Sequence, residues 1–243
     1  MEVTEGRLLG GRVRYAQPRE GFRSGIEPVL LAASVPACAG ERVLEAGSGA
    51  GAALLCLAAR VAGISGVGVE RDAALVGLAA RNAAANGWAD LAFMAADIAD
   101  VPALGAFDHC FANPPYHASG GTGSPDVARD VARRAGPDLF AAWAASMGRL
   151  LRPRGTLTWI VSAAVVPACV VALTAAACTP TALLPLWPHD GGVAAKLVLL
   201  RAVKGGRGGF RLLPGLVLHA RGGGFTPAAE AILRHGEALV LQP

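Results

Sequence analysis

The run Asn113-Pro114-Pro115-Tyr116 holds the residue types best suited to chemistry in this chain. It follows a short apolar segment that reads as a buried strand, and ligands of open α/β sheets bind at such carboxyl ends. The prolines fix φ, Asn113 offers an acceptor and donors, and Tyr116 offers a flat ring. Together they can hold a planar group with an NH₂, which suits methyl transfer to an amide or exocyclic nitrogen. Alone, the run is more typical of a proline-rich turn that caps a strand, and the residues upstream change that balance.

A glycine turn lies upstream, in Glu45-Ala46-Gly47-Ser48-Gly49-Ala50-Gly51, between a short strand and an apolar helix. Its glycines permit a tight turn and close approach of a ligand to the backbone. Gly47, Gly49 and Ala52 also fit the dinucleotide pattern, so NAD and FAD are candidates. Glu45 at the strand end favours a cationic ligand and would repel a pyrophosphate. With the alternation of Gly47, Gly49 and Gly51, this indicates S-adenosylmethionine (SAM).

Acidic residues follow the next two predicted strands. Glu70 comes 23 positions after Gly47, close to the spacing of about 20 expected for a carboxylate that binds ribose hydroxyls. Asp97, followed by Ile98, falls where an acid can accept from an adenine amino group. Each acid alone is typical of a solvated strand end. As a series at successive strand ends, before Asn113 on the fourth, they predict one site.

The chain resembles the class I SAM-dependent methyltransferases of the Asn-Pro-Pro-Tyr type. More narrowly, it resembles the bacterial tRNA (adenine-N6)-methyltransferases, which modify an adenine beside the anticodon of a valine tRNA. The stretches that carry the narrower resemblance are Gln17 to Leu31, Asn113 to His117, Arg211 to His219 and Gly224 to Pro227.

The resemblance and the residue types together assign roles. Catalysis is assigned to Asn113, Pro114 and Tyr116, and cofactor binding to Glu45, Gly47, Gly49, Gly51, Glu70, Asp97 and Ile98. Substrate binding is assigned to Pro115, His117, Arg23, Glu27, Lys204 and Arg207. No metal is expected, because the histidines and cysteines lack ligand spacing.

Several positions depart from the family pattern; Glu45 replaces a frequent Asp and Ser48 a frequent Cys or Thr, swaps that keep charge and size. Glu27 stands where the family usually has Asp, and one extra methylene can still reach the same partner. Ser162-Ala163-Ala164 follows the fifth predicted strand, where relatives often carry polar or basic residues. If those residues hold RNA, this chain binds RNA more weakly or takes another substrate.

Charge favours RNA, most of all tRNA, as the partner. The net charge is +4 and the pI about 9.0. Five basic residues and no acid lie between positions 196 and 211, namely Lys196, Arg201, Lys204, Arg207 and Arg211. Glycines between them predict a flexible hairpin tip that contacts phosphates. The alternative is that arginine is simply the solubilising charge of a chain rich in Ala and Gly.

The elements that must position these residues predict a Rossmann-like α/β fold. It has a mostly parallel seven-stranded sheet with an antiparallel C-terminal hairpin. Strands are predicted to begin near Val43, Gly66, Leu91, His109 and Thr156, and the hairpin to pair 197–203 with 212–218. We expect one domain over 1–243, in which residues 1–40 cover the cofactor or shape the substrate mouth and 41–243 form the core.

The uncharged segment Leu157 to Cys178 is long enough to suggest a membrane span. A β-prone start at Thr156 to Val161, and Pro167 at the first turn of a helix, instead favour a buried strand followed by a packed helix. Five cysteines without C-x-x-C spacing indicate reduced, buried thiols in a cytoplasmic protein.

Three functions remain open. The first is an RNA adenine-N6 methyltransferase, with DNA adenine as a possible target. The second is a protein methyltransferase acting on a glutamine amide of a translation factor. Such enzymes usually carry an N-terminal helical domain, for which the stretch before Val43 leaves no room. The third is a non-catalytic RNA-binding module, against which intact Asn113 and Tyr116 speak.

Overall fold

The computed structural model describes residues 1–20, 24–115, 137–190 and 193–241. Its strands are β1 (Val3–Leu8), β2 (Val13–Pro18), β3 (Arg42–Ala46), β4 (Ser65–Glu70), β5 (Leu91–Ala95), β6 (Phe107–Ala112), β7 (Leu151–Ser162), β8 (Cys178–His189), β9 (Leu197–Lys204), β10 (Arg211–Leu212) and β11 (Leu216–His219). Its α-helices are α1 (Glu27–Ser34), α2 (Ala52–Arg60), α3 (Ala73–Ala85), α4 (Pro137–Leu150), α5 (Val166–Ala175) and α6 (Pro227–His235).

Nine strands form one sheet, in the order β10-β8-β9-β7-β6-β3-β4-β5, with β11 also paired to β8. The pairs β3–β4, β4–β5, β3–β6 and β6–β7 are parallel, whereas β9 is antiparallel to both β7 and β8. The Rossmann-like α/β fold, with a mostly parallel sheet and an antiparallel hairpin, is therefore confirmed. The strands predicted near Val43, Gly66, Leu91, His109 and Thr156 are all present.

The hairpin itself differs from the prediction. Strand β9 pairs with the preceding strand β8, and 212–218 does not pair with β9. That segment instead forms β10 and β11, which run parallel to the outer side of β8 and raise the strand number from the expected seven to nine. The glycine-rich stretch after Lys204 therefore crosses from β9 to the far side of β8.

Side-chain caps begin two of the helices. The Asp72 carboxylate accepts hydrogen bonds from the amides of Ala74 and Leu75 and begins α3. The Thr226 hydroxyl accepts from Ala229 N in front of Pro227 and begins α6. The apolar segment 157–178 divides as expected into the end of β7 and then α5, with Pro167 in its first turn. Among the residues that the structure describes, no helix is both long and apolar enough to cross a membrane.

Apolar side chains fill both faces of the sheet. One buried cluster joins α1, α2, α3, α6 and strand β2, and the other joins α4 and α5. Four of the five cysteines are buried as expected, whereas Cys38 is exposed in the turn before β3. The sheet is thus covered by helices on both sides, which leaves its strand ends to carry polar chemistry.

Arg201 is a buried cation rather than part of a basic surface. Its side chain is 3% exposed, and its guanidinium donates to Thr158 Oγ1 at 3.3 Å and to the carbonyl of Ser34 at the end of α1. Arg60 donates to the carbonyls of Ala32 and Val35. Burial lowers the pKa of Arg201 to about 10, so it stays charged near neutral pH. These guanidinium groups satisfy and complement the C-terminus of α1.

Strands β1 and β2 pair antiparallel as an N-terminal hairpin, which Asn82 of α3 and Asn86 at the C-cap of α3 fasten to the rest of the fold. Asn82 accepts from Ala16 N at 2.9 Å and donates to the carbonyls of Ala16 and Ala50, at 2.8 and 3.0 Å. One turn later, Asn86 accepts from Arg14 N at 2.8 Å and donates to its carbonyl at 2.7 Å. Asn82 is buried and its third bond reaches the glycine turn, so the hairpin and the turn share one support. That residues 1–40 cover a cofactor stays a prediction.

We expect Asn82→Ala to lower the free energy of unfolding by about 3 kcal/mol, because the buried carbonyl of Ala50 and the partly buried backbone groups of Ala16 lose their partners. Asn86→Ala removes an equivalent pair of bonds to Arg14 that are exposed to solvent, and should cost less than about 1 kcal/mol. Urea unfolding followed by circular dichroism measures both. Equal losses in the two variants would contradict the buried support assigned to Asn82.

Candidate active site

The glycine turn and the Asn113 turn lie side by side at one edge of the sheet. Ala46 of β3 pairs with Ala112 of β6, so Gly47 and Asn113 are the next residues on neighbouring parallel strands. Strands in that relation are about 5 Å apart. The backbone amides of Gly47 and Ser48 both donate to the carbonyl of Val69 on β4, at 2.8 and 3.1 Å. The turn is therefore fixed between the ends of β3, β4 and β6.

The three glycines of the turn, Gly47, Gly49 and Gly51, all have positive φ, a conformation that other residues rarely adopt. Gly47 has φ of 66°, and a methyl group there would lie 2.8 Å from the Trp143 ring of α4. Gly49 has φ of 53°, yet a methyl group there would meet nothing within 4 Å among the described residues. One side of the turn thus rests on an indole, and the other faces open space.

Glu45 supports the turn from below. Its side chain is 4% exposed, and Oε2 accepts from Leu54 N in the first turn of α2 at 2.9 Å. Because the N-cap of α2 is Gly51, which has no side chain, Glu45 supplies the missing cap from β3. This contact differs from the expected one with a cationic ligand. The carboxyl group faces the helix start, and burial raises its pKa to about 8.

The two strand-end acids also contact backbone. Glu70 accepts from Gly49 N through Oε2 and from Asp72 N through Oε1, both at 3.0 Å. Asp97 is exposed and accepts from Ala99 N at 2.9 Å, and the neighbouring Ile98 is buried. Glu70 thereby ties the end of β4 to the glycine turn. The structure brings Gly47, Gly49, Glu70 and Asn113 together and puts Asp97 at the end of the next strand.

Of the predicted catalytic run, Asn113 is half-buried, Pro114 is buried and Pro115 is exposed. Tyr116, His117 and Arg23 lie outside the described residues, and their roles stay predictions. Glu27 is the first residue of α1, and its carboxylate lies over Gly25. That local contact leaves its role in substrate binding a prediction.

The structure does not bring Lys204 and Arg207 to this edge. Strand β9 is antiparallel to β7, so Leu197 pairs with Ser162 and Val203 pairs with Thr156. Lys204 therefore lies at the amino ends of the parallel strands, where its ammonium donates to the carbonyl of Leu151 at 2.6 Å. Arg207 follows it at that opposite edge. Of the five basic residues in this run, Lys196 is the one beside Ser162 and Ala163 at the carboxyl edge.

Sequence reasoning missed the residues that support the turn from other elements. Trp143 packs under Gly47, and Phe93 of β5 lies 3.1 Å from the position of a methyl group on Gly51. The Ser48 hydroxyl is buried without a hydrogen-bond partner among the described residues. No spacing in the sequence links these residues to the turn, and only the glycine at position 68, against which Phe93 packs, hints at a large neighbour.

Residues 27–164 match the family described as the methyltransferase small domain. The match covers both turns, all the described strand-end acids and more than half of the 243 residues. The chain belongs to the methyltransferase small domain family.

Individual named proteins are also similar to the chain. A protein of Tolumonas auensis named tRNA1(Val) (adenine(37)-N6)-methyltransferase is 33% identical over 148 residues, which are 59% of this chain and 61% of that protein. A release factor glutamine methyltransferase of Rhodospirillum rubrum is 36% identical over 126 residues, covering 49% of this chain and 39% of its own length. The chain spans about three fifths of the length of the tRNA-named relatives it matches.

A solved structure from Agrobacterium tumefaciens, described as a predicted O-methyltransferase, superposes with a TM-score of 0.73. It is 23% identical and covers 88% of this chain and 98% of its own. At that identity the likeness concerns the fold alone, which is that of a methyltransferase.

The raised pKa of Glu45 predicts a pH-dependent stability. A folded-state pKa of about 8, against 4.5 for an ordinary glutamate, means that the folded protein holds this proton more tightly than the unfolded chain. This contribution to stability should therefore fall as pH rises from about 5 to 8. In Glu45→Gln, which keeps an acceptor for Leu54 N, that fall should disappear. Urea unfolding at several pH values measures it, with the exposed change Glu5→Gln expected to follow the wild type. Parallel curves for Glu45→Gln and wild type would contradict the assignment.

Proposed function

We propose that this chain transfers a methyl group from SAM to the exocyclic N6 of an adenine in tRNA. The observation that carries the proposal is the position of the glycine turn next to Asn113 at one strand edge. That arrangement can hold a methyl donor and a planar acceptor side by side. The relatives named as tRNA adenine-N6 methyltransferases support adenine as the acceptor.

The residues at the turn fit SAM. Gly49 faces open space, so a ligand can lie against the backbone there. Each Glu70 oxygen uses one lone pair on a backbone amide and keeps another for a ribose hydroxyl. Asp97, exposed at the end of β5, can accept from an adenine amino group. When bound, SAM supplies an electrophilic methyl group on a sulfonium.

The chain's own groups position the acceptor nitrogen. The Asn113 side-chain oxygen and the Pro114 carbonyl accept hydrogen bonds from the amine, which draws the nitrogen lone pair out of ring conjugation and aims it at the donor. The base must leave its stack, at a cost of a few kcal/mol, and stacking on Tyr116 returns roughly 1–3 kcal/mol. No strong base is needed, because the nitrogen loses its proton easily once it is cationic. Positioning and electrostatics thus supply the rate.

A glutamine side-chain amide is the second candidate acceptor. It is favoured by the similarity to the Rhodospirillum rubrum release factor glutamine methyltransferase. An amide is planar and carries an NH₂, so the hydrogen bonds proposed for Asn113 and Pro114 would hold it in the same way. The two candidates differ in the macromolecule that carries the acceptor.

The open side of Gly49 can be tested with a matched glycine. Gly40 also has positive φ, 84°, with nothing within 4 Å of a methyl group, but it lies in the turn before β3. Alanine at either position should cost about 1–2 kcal/mol of stability from backbone strain. Calorimetric titration should show that Gly49→Ala loses SAM affinity and Gly40→Ala keeps it. Equal SAM affinities in the two variants would remove Gly49 from the cofactor site.

Methyl-labelled SAM identifies the acceptor. We expect label to pass to undermethylated RNA, to be released by RNase, and to yield N6-methyladenosine on nucleoside analysis. Asn113→Ala should lower the rate about 100-fold or more while SAM binding persists, the scale of losing one well-placed active-site group. Asn86→Ala serves as the control and should keep the rate. Protease-sensitive label would instead support the glutamine candidate, and SAM binding without transfer to RNA or protein would contradict both.

A further inference from the structure

A cavity opens at the outer strands of the sheet, away from the glycine turn. It has a volume of about 730 Å³, within the range of small-molecule sites, and its lining includes Trp187, His189, Asp190, Val193, Pro214 and Val217. Most of these residues lie at or just beyond the ends of β8 and β11. Those strands are parallel, with Val217 beside Trp187 and His219 beside His189. None of these residues belongs to the glycine turn or to the Asn113 turn.

The cavity and the Asn113 turn share one edge. Strand β8 is antiparallel to β9, which is antiparallel to β7, so β8 and β7 point the same way. Leu186 and Ser162 both pair with Leu197 and lie level with each other, and His189 extends further in the carboxyl direction. From β6 to β8 there are three strand spacings, or about 14 Å across the sheet. His189 also lies five residues, or about 16 Å, further along the strand direction than Asn113, so the two are about 22 Å apart. A short run of single-stranded nucleic acid can span that distance.

The rings of Trp187 and His189 line the cavity, and the rings of His219 and Phe225 continue from His189 outside it. The His189 and His219 rings have centroids 5.5 Å apart, and the His219 ring stacks on Phe225 at 4.9 Å. The Trp187 indole is fixed by a 3.0 Å hydrogen bond from Nε1 to the Pro214 carbonyl. Such faces bind unstacked bases, because every base has a π-face to stack.

The charged residues of this region differ between the inside of the cavity, which holds a carboxylate, and its surroundings, which hold cations. Asp190 lines the cavity, where its carboxylate can accept from an amino group of a base and would repel a phosphate. Exposed cations lie outside. The Arg221 guanidinium forms an ion pair with the Asp190 carboxylate, with 3.5 Å between Nη2 and Oδ2. Lys196 directly precedes β9, between the ends of β7 and β8. The Lys196 carbonyl accepts from Ala163 N at 2.9 Å, which fixes its backbone at the end of β7.

We propose that this cavity binds an unpaired base of the RNA substrate, a few nucleotides from the adenine at Asn113, while Lys196 contacts a phosphate between them. The inference rests on the proposed function and adds a second recognition point to it. Sequence-specific RNA recognition commonly uses single-stranded bases splayed onto aromatic side chains, which is the arrangement that Trp187 and His189 offer.

Filling the cavity tests the proposal without truncating the core. Val193 is 45% exposed, so Val193→Trp can fill the cavity with little cost to the fold, and Val3→Trp on β1 is a control at 40% exposure. We expect Val193→Trp to weaken binding of an undermethylated tRNA transcript about 10-fold, the loss of one stacked base, with unchanged SAM affinity and unchanged rate at saturating RNA. Val3→Trp should bind as the wild type does. Fluorescence anisotropy with S-adenosylhomocysteine present measures binding, and thermal unfolding confirms that each variant is folded.

Lys196→Ala tests the phosphate contact, with Arg81→Ala on α3 as the control for loss of one exposed cation. We expect the salt dependence of RNA binding to fall by about one counterion in Lys196→Ala alone. Wild-type affinity in Val193→Trp, or equal losses in Val193→Trp and Val3→Trp, would overturn the inference even if Asn113-dependent methylation of RNA persists. If the wild-type protein labels protein and not RNA, the proposed function and this inference both fail.

Discussion

Because β3 to β8 all run in one direction, their carboxyl ends meet at a single edge of the sheet. The right-handed crossovers that join such strands put helices on both faces and leave that edge open. Gly47, Glu70, Asn113, Ser162 and His189 are far apart in sequence, yet each ends a strand or follows its end. The alignment of the strand ends therefore brings these five residues to one edge.

The edge is held by polar groups beneath it. Glu45 caps α2 because Gly51 cannot, Glu70 holds Gly49 N, and Asn82 holds the Ala50 carbonyl. The glycines that permit the turn have no side chains to hold it in place, so residues of neighbouring elements make the hydrogen bonds that do so. A buried carboxyl such as Glu45 is costly when ionised, which explains why its pKa rises. Support of the turn therefore requires a buried Glu45 carboxyl that stays protonated near neutral pH.

The inner strands could be predicted because each has an apolar run and a polar or glycine residue at its end. Strand β8 could not be predicted, because its prolines Pro180, Pro185 and Pro188 argue against a strand inside a sheet. In the fold, Pro180 lies at a register shift against β9, and Pro185 lies level with the break between β10 and β11. Both prolines thus occur where a ladder is already interrupted. Those interruptions depend on tertiary pairing, which local sequence does not encode.

The basic run shows the limit of reading charge along a chain. Lys196 and Lys204 belong to one cluster in sequence, but β9 is an eight-residue strand and carries them to opposite edges, about 25 Å apart. Between them, the buried Arg201 guanidinium donates its hydrogen bonds to the carbonyl of Ser34 and the hydroxyl of Thr158. Under the proposed function, RNA at Asn113 therefore meets one cation of this run of five, Lys196. The run contributes less to RNA affinity at this edge than its charge suggests, because a single phosphate contact contributes little at physiological salt.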